Sequence, residues 1–214
     1  CSQTVRDNIP TVISGSSSAG RSLINVGGAT SVVAFLNLTL SSCGESLSTS
    51  PIDQDIYGGA VDISGGPHQL VYFENTSIEN SRAGVGGGIS IRGDAGNSNA
   101  VFVQFSYGTR IRSNFAQDSG GGVYCRDATL HLKGNSSTIR LNEAGDATHA
   151  GLGGGIFADD CKVRIAGADS IVGSAIDSNV ATDNGGGIYA YGSGTRIDVY
   201  NADPTKPTRI KGNS

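Results

Sequence analysis

The stretch Gly185-Gly-Gly-Ile188-Tyr-Ala-Tyr191, followed by Arg196-Ile-Asp-Val-Tyr200 and then Thr208-Arg-Ile-Lys-Gly-Asn213, decides the fold. Each segment is short and alternates side-chain character at every second position, and Gly, Ser, Asp and Asn stand between the segments. Period-two alternation bounded by turn formers is the signature of β-strands. The glycine triplet opposes a helix, where each glycine costs about 1 kcal/mol relative to alanine.

The unit recurs. A glycine cluster running into a β-branched residue appears as Gly58-Gly-Ala-Val61, Gly86-Gly-Gly-Ile89, Gly120-Gly-Gly-Val123, Gly153-Gly-Gly-Ile156 and Gly185-Gly-Gly-Ile188, with the β-branched residues 28, 34, 33 and 32 apart. Between clusters lies a hydroxyl-x-Ile-x-x-Asn-x-Ala motif: Thr109-Arg-Ile-Arg-Ser-Asn-Phe-Ala116, Ser137-Thr-Ile-Arg-Leu-Asn-Glu-Ala144 and Ser174-Ala-Ile-Asp-Ser-Asn-Val-Ala181. The copy at Thr76-Ser-Ile-Glu-Asn-Ser-Arg-Ala83 has Ser81 in the Asn place, and the last copy breaks off at Ser214. Short strands repeated in series predict a solenoid: an all-β, right-handed parallel β-helix of about 32 residues and three strands per coil. Residues 58–214 are its regular coils. Residues 1–57, which alternate at Thr11–Ser14, Leu23–Val26 and Val32–Leu40, read as irregular first coils of the same domain.

Stacking the repeats sorts the residues into columns. Val61, Ile89, Val123, Ile156 and Ile188 fall on one inward column of the first strand. Ile63, Ile91, Cys125, Ala158 and Ala190 fall on the next, and Ile78, Ile111, Ile139, Ile176 and Ile210 on a third. Asp62, Ser90, Tyr124, Phe157 and Tyr189 then face outward, as do Thr129 with His131, Lys162 with Arg164, and Arg196 with Asp198. The glycines Gly58, Gly59, Gly86, Gly87, Gly120, Gly121, Gly153, Gly154, Gly185 and Gly186 are expected to turn a tight corner where backbones approach closely. Asn114, Asn142, Asn179 and Asn213 fall at the opposite corner. Asn tolerates the left-handed region, caps turn amides and can bond along the axis as a ladder.

Composition narrows the class. Among 214 residues, 33 glycines without a G-X-Y period exclude collagen, and 37% hydrophobic content with net charge −4 is unlike a disordered chain. With 15 Lys+Arg against 19 Asp+Glu there is no electrostatic footprint for nucleic acid. No apolar run approaches the roughly 20 residues of a transmembrane helix. The chain opens on Cys1 and the repeat stops mid-pattern, so the sequence reads as a piece of a longer protein. Four cysteines without a C-x-x-C spacing point to an oxidising compartment rather than to zinc. Cys125 faces inward and Cys161 opens the next coil's second strand, so a Cys125–Cys161 staple is expected. Cys1 and Cys43 are the remaining pair; free buried thiols are the alternative.

The alternation of Gly-Gly-Ala/Gly-Ile/Val with Ile-x-x-Asn-x-Ala resembles the GGA(I/L/V) and FxxN repeats of polymorphic outer membrane proteins and, more broadly, β-helical passenger segments of secreted bacterial surface proteins. Only Gly58-Gly-Ala-Val61 carries that family's Ala, and Ile stands for Phe in each x-x-Asn copy. The resemblance implies export to the cell surface or outer membrane, a β-helical stalk and adhesion, and carries no catalytic residues.

Read for chemistry, the outward Tyr124, Phe157 and Tyr189 form an aromatic ladder, and Arg92 stacks over Arg126 with Asp159 next. Together they are the candidate ligand face, facing a sugar or sugar acid. No cofactor is expected; Ca²⁺ is the alternative, through the oxygen ligands of Asp159-Asp160 or of the Asp53/Asp55 loop, although neither has the spacing of a calcium loop. The expectation is a non-enzymatic structural or adhesive segment, extracellular or at the cell surface, with self-association or glycan contacts as its partnerships. A polysaccharide-binding or polysaccharide-degrading β-helix is the alternative.

Overall fold

The computed structural model describes residues 11–14, 22–28, 31–44, 56–97, 100–133, 136–166, 174–200 and 208–214. All of its regular structure is strand, and every pairing among the described residues is parallel. Alternation dictates this architecture: a strand with one apolar face must bury it, and a chain that winds round a common axis buries the same face at every level.

Four sheets result. Sheet one stacks Ile24–Gly28, Val61–Gly65, Ile89–Arg92, Val123–Arg126, Ile156–Asp159 and Ile188–Tyr191. Sheet two stacks Val32–Leu36, Gln69–Glu74, Val101–Ser106, Thr129–Lys133, Lys162–Ala166 and Arg196–Tyr200. Sheet three runs from Thr11–Ser14 through Leu38–Ser41, Ser77–Glu79, Arg110–Arg112, Thr138–Arg140 and Ala175–Asp177 to Arg209–Lys211. Sheet four holds Arg82–Val85, Phe115–Ser119, Glu143–Ala144 and Val180–Ala181. The expected three strands per coil are therefore corrected to four in the coils that carry sheet four. Its strands grow from the x-Ala end of the Asn-x-Ala motif and are as short as two residues, too short for alternation to mark.

Register follows the columns. Val61, Ile89, Val123, Ile156 and Ile188 are successive Cα partners, and so are Ile78, Ile111, Ile139, Ile176 and Ile210. One hydrophobic cluster runs unbroken from Val26 to Ile176 along the interior. β-branched side chains repeated on one pleated column nest against their own kind. Cys125 and Cys161 are disulfide-bonded with Cα atoms 5.9 Å apart, joining sheet one of one coil to the start of sheet two in the next. Cys43 is buried, its Sγ 3.3 Å from the Ser41 carbonyl oxygen. Cys1 lies outside the described residues, so nothing bears on its pairing with Cys43. No helix among the described residues is long and apolar enough to cross a membrane.

The corners are built by the two motifs. Gly58, Gly86, Gly120, Gly153 and Gly185 take φ between +66° and +70°. The second glycine of each cluster packs on backbone: a Cβ on Gly121 would meet the Glu143 carbonyl oxygen of sheet four at 2.4 Å. At the opposite corner the left-handed residue is the one before each Asn, namely Ser113, Leu141, Ser178 and Gly212, with φ of +54° to +61°. This corrects the expectation that Asn itself adopts that conformation. The Asn side chains instead form a buried ladder. Asn142 Nδ2 donates to Asn179 Oδ1 at 2.9 Å and to the Ile111 carbonyl at 3.0 Å, while its Oδ1 accepts from Asn114 N and Asn114 Nδ2, both at 3.0 Å. All four hydrogen-bonding positions of the amide are filled.

Candidate ligand-binding faces

Sheets one and two concentrate the side-chain chemistry on their outer faces. On sheet one the aromatic ladder forms: Tyr124 and Phe157 stack at 5.3 Å between centroids, and Phe157 and Tyr189 at 5.5 Å. It is not exposed. Tyr57, Val85 and Leu152, each the residue just before a glycine cluster, pack over it in a second hydrophobic cluster. Tyr124 is 8% and Phe157 9% exposed. The expectation of an outward ligand ladder is corrected: these rings bury area and stiffen the sheet, and only Tyr189 stays half-buried. Asp62 and Ser90, expected to face solvent, are buried as well.

The arginines beside the ladder are committed to carboxylates. Arg92 and Arg126 are register partners, with Asp159 next. Arg92 donates twice to the Asp62 carboxylate, at 3.0 and 2.8 Å, and lies 4.0 Å over the Tyr57 ring. Arg126 lies 3.4 Å from Asp159 and 3.6 Å from Asp127. Burial raises the Tyr124 hydroxyl above its ordinary value, against the pull of Arg126. Burial also raises the Asp159 carboxyl; Arg126 lowers it, while Asp160 and Asp127 add to the rise. Each of the two arginines expected to line an anion-binding groove thus has a carboxylate within ion-pairing distance.

Paired aspartates at matching levels do occur. Asp127 and Asp160 each close a strand of sheet one in a left-handed conformation, φ +49° and +46°. Their Oδ1 atoms accept the Gly96 and Gly194 amides at 2.9 and 2.7 Å. These carboxylates fasten turns. Among the described residues no cluster of three or more His, Cys, Asp or Glu is placed to hold a metal ion, and Asp53 and Asp55 lie outside them.

Sheet two presents a different face. Phe102, Thr129, Lys162 and Arg196 are successive register partners, as are Gln104, His131, Arg164 and Asp198 beside them. A groove of about 380 Å³ is lined by Phe102, Thr129, Lys162, Arg164, Arg196 and Asp198. Asp198 accepts from Arg196 Nε at 2.8 Å and lies 3.9 Å from Arg164 Nε. His131 packs edge-on to Phe102 at 6.3 Å, and its Nε2 is buried without a hydrogen bond. Burial lowers the His131 pKa below its ordinary value, and Arg164 and Lys133 lower it further, so the ring is neutral near neutral pH. The outward column was legible as alternation, but a concavity along it is a matter of side-chain length at successive levels, which alternation does not carry.

In comparison with known proteins, no family model, curated protein or solved structure matches this chain.

Proposed function

We propose that this chain is a non-catalytic structural or adhesive segment of a secreted or surface-displayed bacterial protein, wound as a right-handed β-helix with coils of about 32 residues, similar to the repeats of polymorphic outer membrane proteins. The observation that carries the reading is the way outward chemistry is consumed: the sheet-one arginines pair with aspartates, and Asp127 and Asp160 hold turn amides. A stable rod face results rather than a poised acid–base site. Parallel connections between strands of one sheet are right-handed in nearly all proteins, which supports the handedness. The Cys125–Cys161 bridge fits an oxidising compartment outside the cytoplasm. Long faces built from repeated levels suit weak multivalent contact.

The reading is tested with beads coated with this chain, against beads carrying an unrelated protein of equal net charge, on bacterial and host-cell surfaces. Attachment above the control is expected. Attachment equal to the control on every surface overturns the reading.

A further inference from the structure

We propose that Gln117 and Thr148 become covalently joined, the Thr148 hydroxyl displacing ammonia from the Gln117 carboxamide to leave an ester between two coils. Such a bond goes beyond the adhesive reading and does not depend on it. A long detour brings the two residues together: Gly145-Asp-Ala-Thr-His-Ala-Gly151 stands between the Asn-x-Ala motif and Gly153, whereas Ala83, Ala116 and Ala181 reach Gly86, Gly120 and Gly185 in a few residues. The loop is fastened along its length. Gly145 N donates to the Ala116 carbonyl at 2.9 Å, and Asp146 N to the His149 carbonyl at 3.1 Å. Gly151 N donates to Thr182 Oγ1 at 2.8 Å, and that hydroxyl donates to the His149 carbonyl at 3.0 Å. Register pairs Ala116 with Ala144, so the loop lies beside Gln117 on the sheet-four strand of the preceding coil.

Gln117 is 2% exposed, and its Oε1 is buried without a hydrogen bond. Its Nε2 lies 3.0 Å from Nδ1 and 3.1 Å from Nε2 of His149. Thr148 Oγ1 lies 2.8 Å from the same Nδ1 and donates to Asp146 Oδ1 at 2.7 Å. Hydrogen bonds from Thr148 and His149 hold the Asp146 carboxyl well below the usual carboxylate range, so it is ionised. An ionised carboxylate only accepts, and Asp146 Oδ1 stands 3.0 Å from His149 Nδ1, so that nitrogen carries the proton. Nucleophile, proton acceptor, proton donor and leaving nitrogen thus sit round one imidazole. Thr148 Oγ1 adds to Gln117 Cδ as its proton passes to Asp146 Oδ1. The nitrogen is then an amine. It takes the Nδ1 proton of His149 and leaves as ammonia when the Cδ–Nε2 bond breaks, and Asp146 returns the threonine proton to His149. One C–O bond forms, one C–N bond breaks, and nothing is oxidised or reduced. Ammonia departs on the exposed Thr148 side, while burial at Gln117 shields the acyl carbon from water. The ester ties the coil of Gln117 to the next, and the Cys125–Cys161 bridge ties that coil to the one after.

The test is the intact mass of the purified chain after prolonged incubation at neutral pH, read with the disulfide reduced. The parent is expected to be lighter than its sequence by one ammonia. Its protease digest is expected to hold the peptides of Gln117 and Thr148 joined, and hydroxylamine, which cleaves esters, to separate them. Thr148→Val keeps the side chain's size without the nucleophile and is expected to keep the full mass. His149→Ala is expected to slow the loss of ammonia about a hundredfold or more. A parent at full mass throughout, a digest without the joined pair, an ammonia loss that persists in Thr148→Val, or a parent rate in His149→Ala overturns the proposal. The parent digest decides the matter even if a variant does not fold, and none of these outcomes bears on bead attachment.

Discussion

Gly122 lies so close to Asn142 that an added Cβ would stand 2.9 Å from the amide Nδ2. The same holds for Gly155 with Asn179 at 2.9 Å and Gly88 with Asn114 at 3.0 Å. The third glycine of each cluster is thus the floor under the Asn ladder. The one cluster whose third residue is alanine, Ala60, opens the coil whose ladder residue is Ser81, shorter by the amide. Ser81 holds the ladder position, since its N–H donates to Asn114 Oδ1 as that of Asn114 does to Asn142 Oδ1.

That pairing makes a coupled prediction. Gly122→Ala alone presses on the Asn142 amide and on the Gly155 carbonyl, 2.7 Å from the added carbon. Combined with Asn142→Ser, it should cost less than the sum of the single substitutions, with a coupling of about 1–2 kcal/mol. Denaturant unfolding of the four proteins measures it; strict additivity would show that the two motifs are independent.

The ladder itself answers to chemistry rather than size. Asn142→Ala removes four hydrogen bonds and leaves buried partners unmet, a cost of about 2–4 kcal/mol. Asn142→Asp keeps the shape but turns the donor into a charged acceptor facing the Ile111 carbonyl and Asn179 Oδ1. Its cost should exceed that of alanine at neutral pH. The raised pKa of such a buried carboxyl means that the folded state takes up the proton more readily, so the penalty should shrink as pH falls. Equal penalties for the two variants at all pH values would contradict this.

The Cys125–Cys161 bridge closes a loop with a sequence separation of 36. A loop of that size corresponds to about 3–4 kcal/mol of stabilisation through the unfolded chain. Cys125→Ala with Cys161→Ala should lower stability by about that amount, as should reduction in unfolding experiments. A loss below about 1 kcal/mol would place the stability in the stacked core alone.

Phe157 tests the correction on sheet one. Sandwiched between Tyr124 and Tyr189 and covered from outside, it should lose about 3 kcal/mol on truncation to alanine, while surface attachment of beads carrying the folded variant stays at the parent value. A stable variant that has lost attachment would return the ligand face to sheet one.

His131 carries the acid response of the groove. It is register partner to Gln104 and Arg164, with Lys133 on its own strand and Asp198 beyond Arg164. The folded state holds the imidazole neutral, so the unfolded chain protonates first. The stability this contributes is present above the ordinary histidine value and is lost as pH falls through the lowered folded value. Titration of the ring by NMR should give a midpoint below that of an unstructured histidine, and His131→Gln should flatten this part of the stability–pH curve. A midpoint at or above the ordinary value would contradict it.

Much of this architecture was readable because the same residue type returns at each level: an isoleucine column needs no partner elsewhere in the chain to be recognised. The glycine corners were readable for the same reason. What was not readable depends on relations across coils. Tyr124 alternates as an outward residue, and nothing local says that Leu152 of the following segment and Tyr57 of an earlier one will cover it. The left-handed conformation at Leu141 has no signal in leucine; the same corner conformation recurs at Ser42, Asn80, Ser113 and Ser178, ahead of residues of different types, so it belongs to the turn between strands. The groove of sheet two depends on long cationic side chains at adjacent levels, so its columns were visible and its concavity was not.

The central claim is that this chain makes contact and does not turn its partner over. The most direct measurement is the chain-length distribution of polygalacturonate and of dextran sulfate after prolonged incubation with stoichiometric protein. The account predicts that each polymer is recovered with its length unchanged. Shortened polymer with new chain ends, abolished by Arg92→Ala or Arg126→Ala, would contradict it.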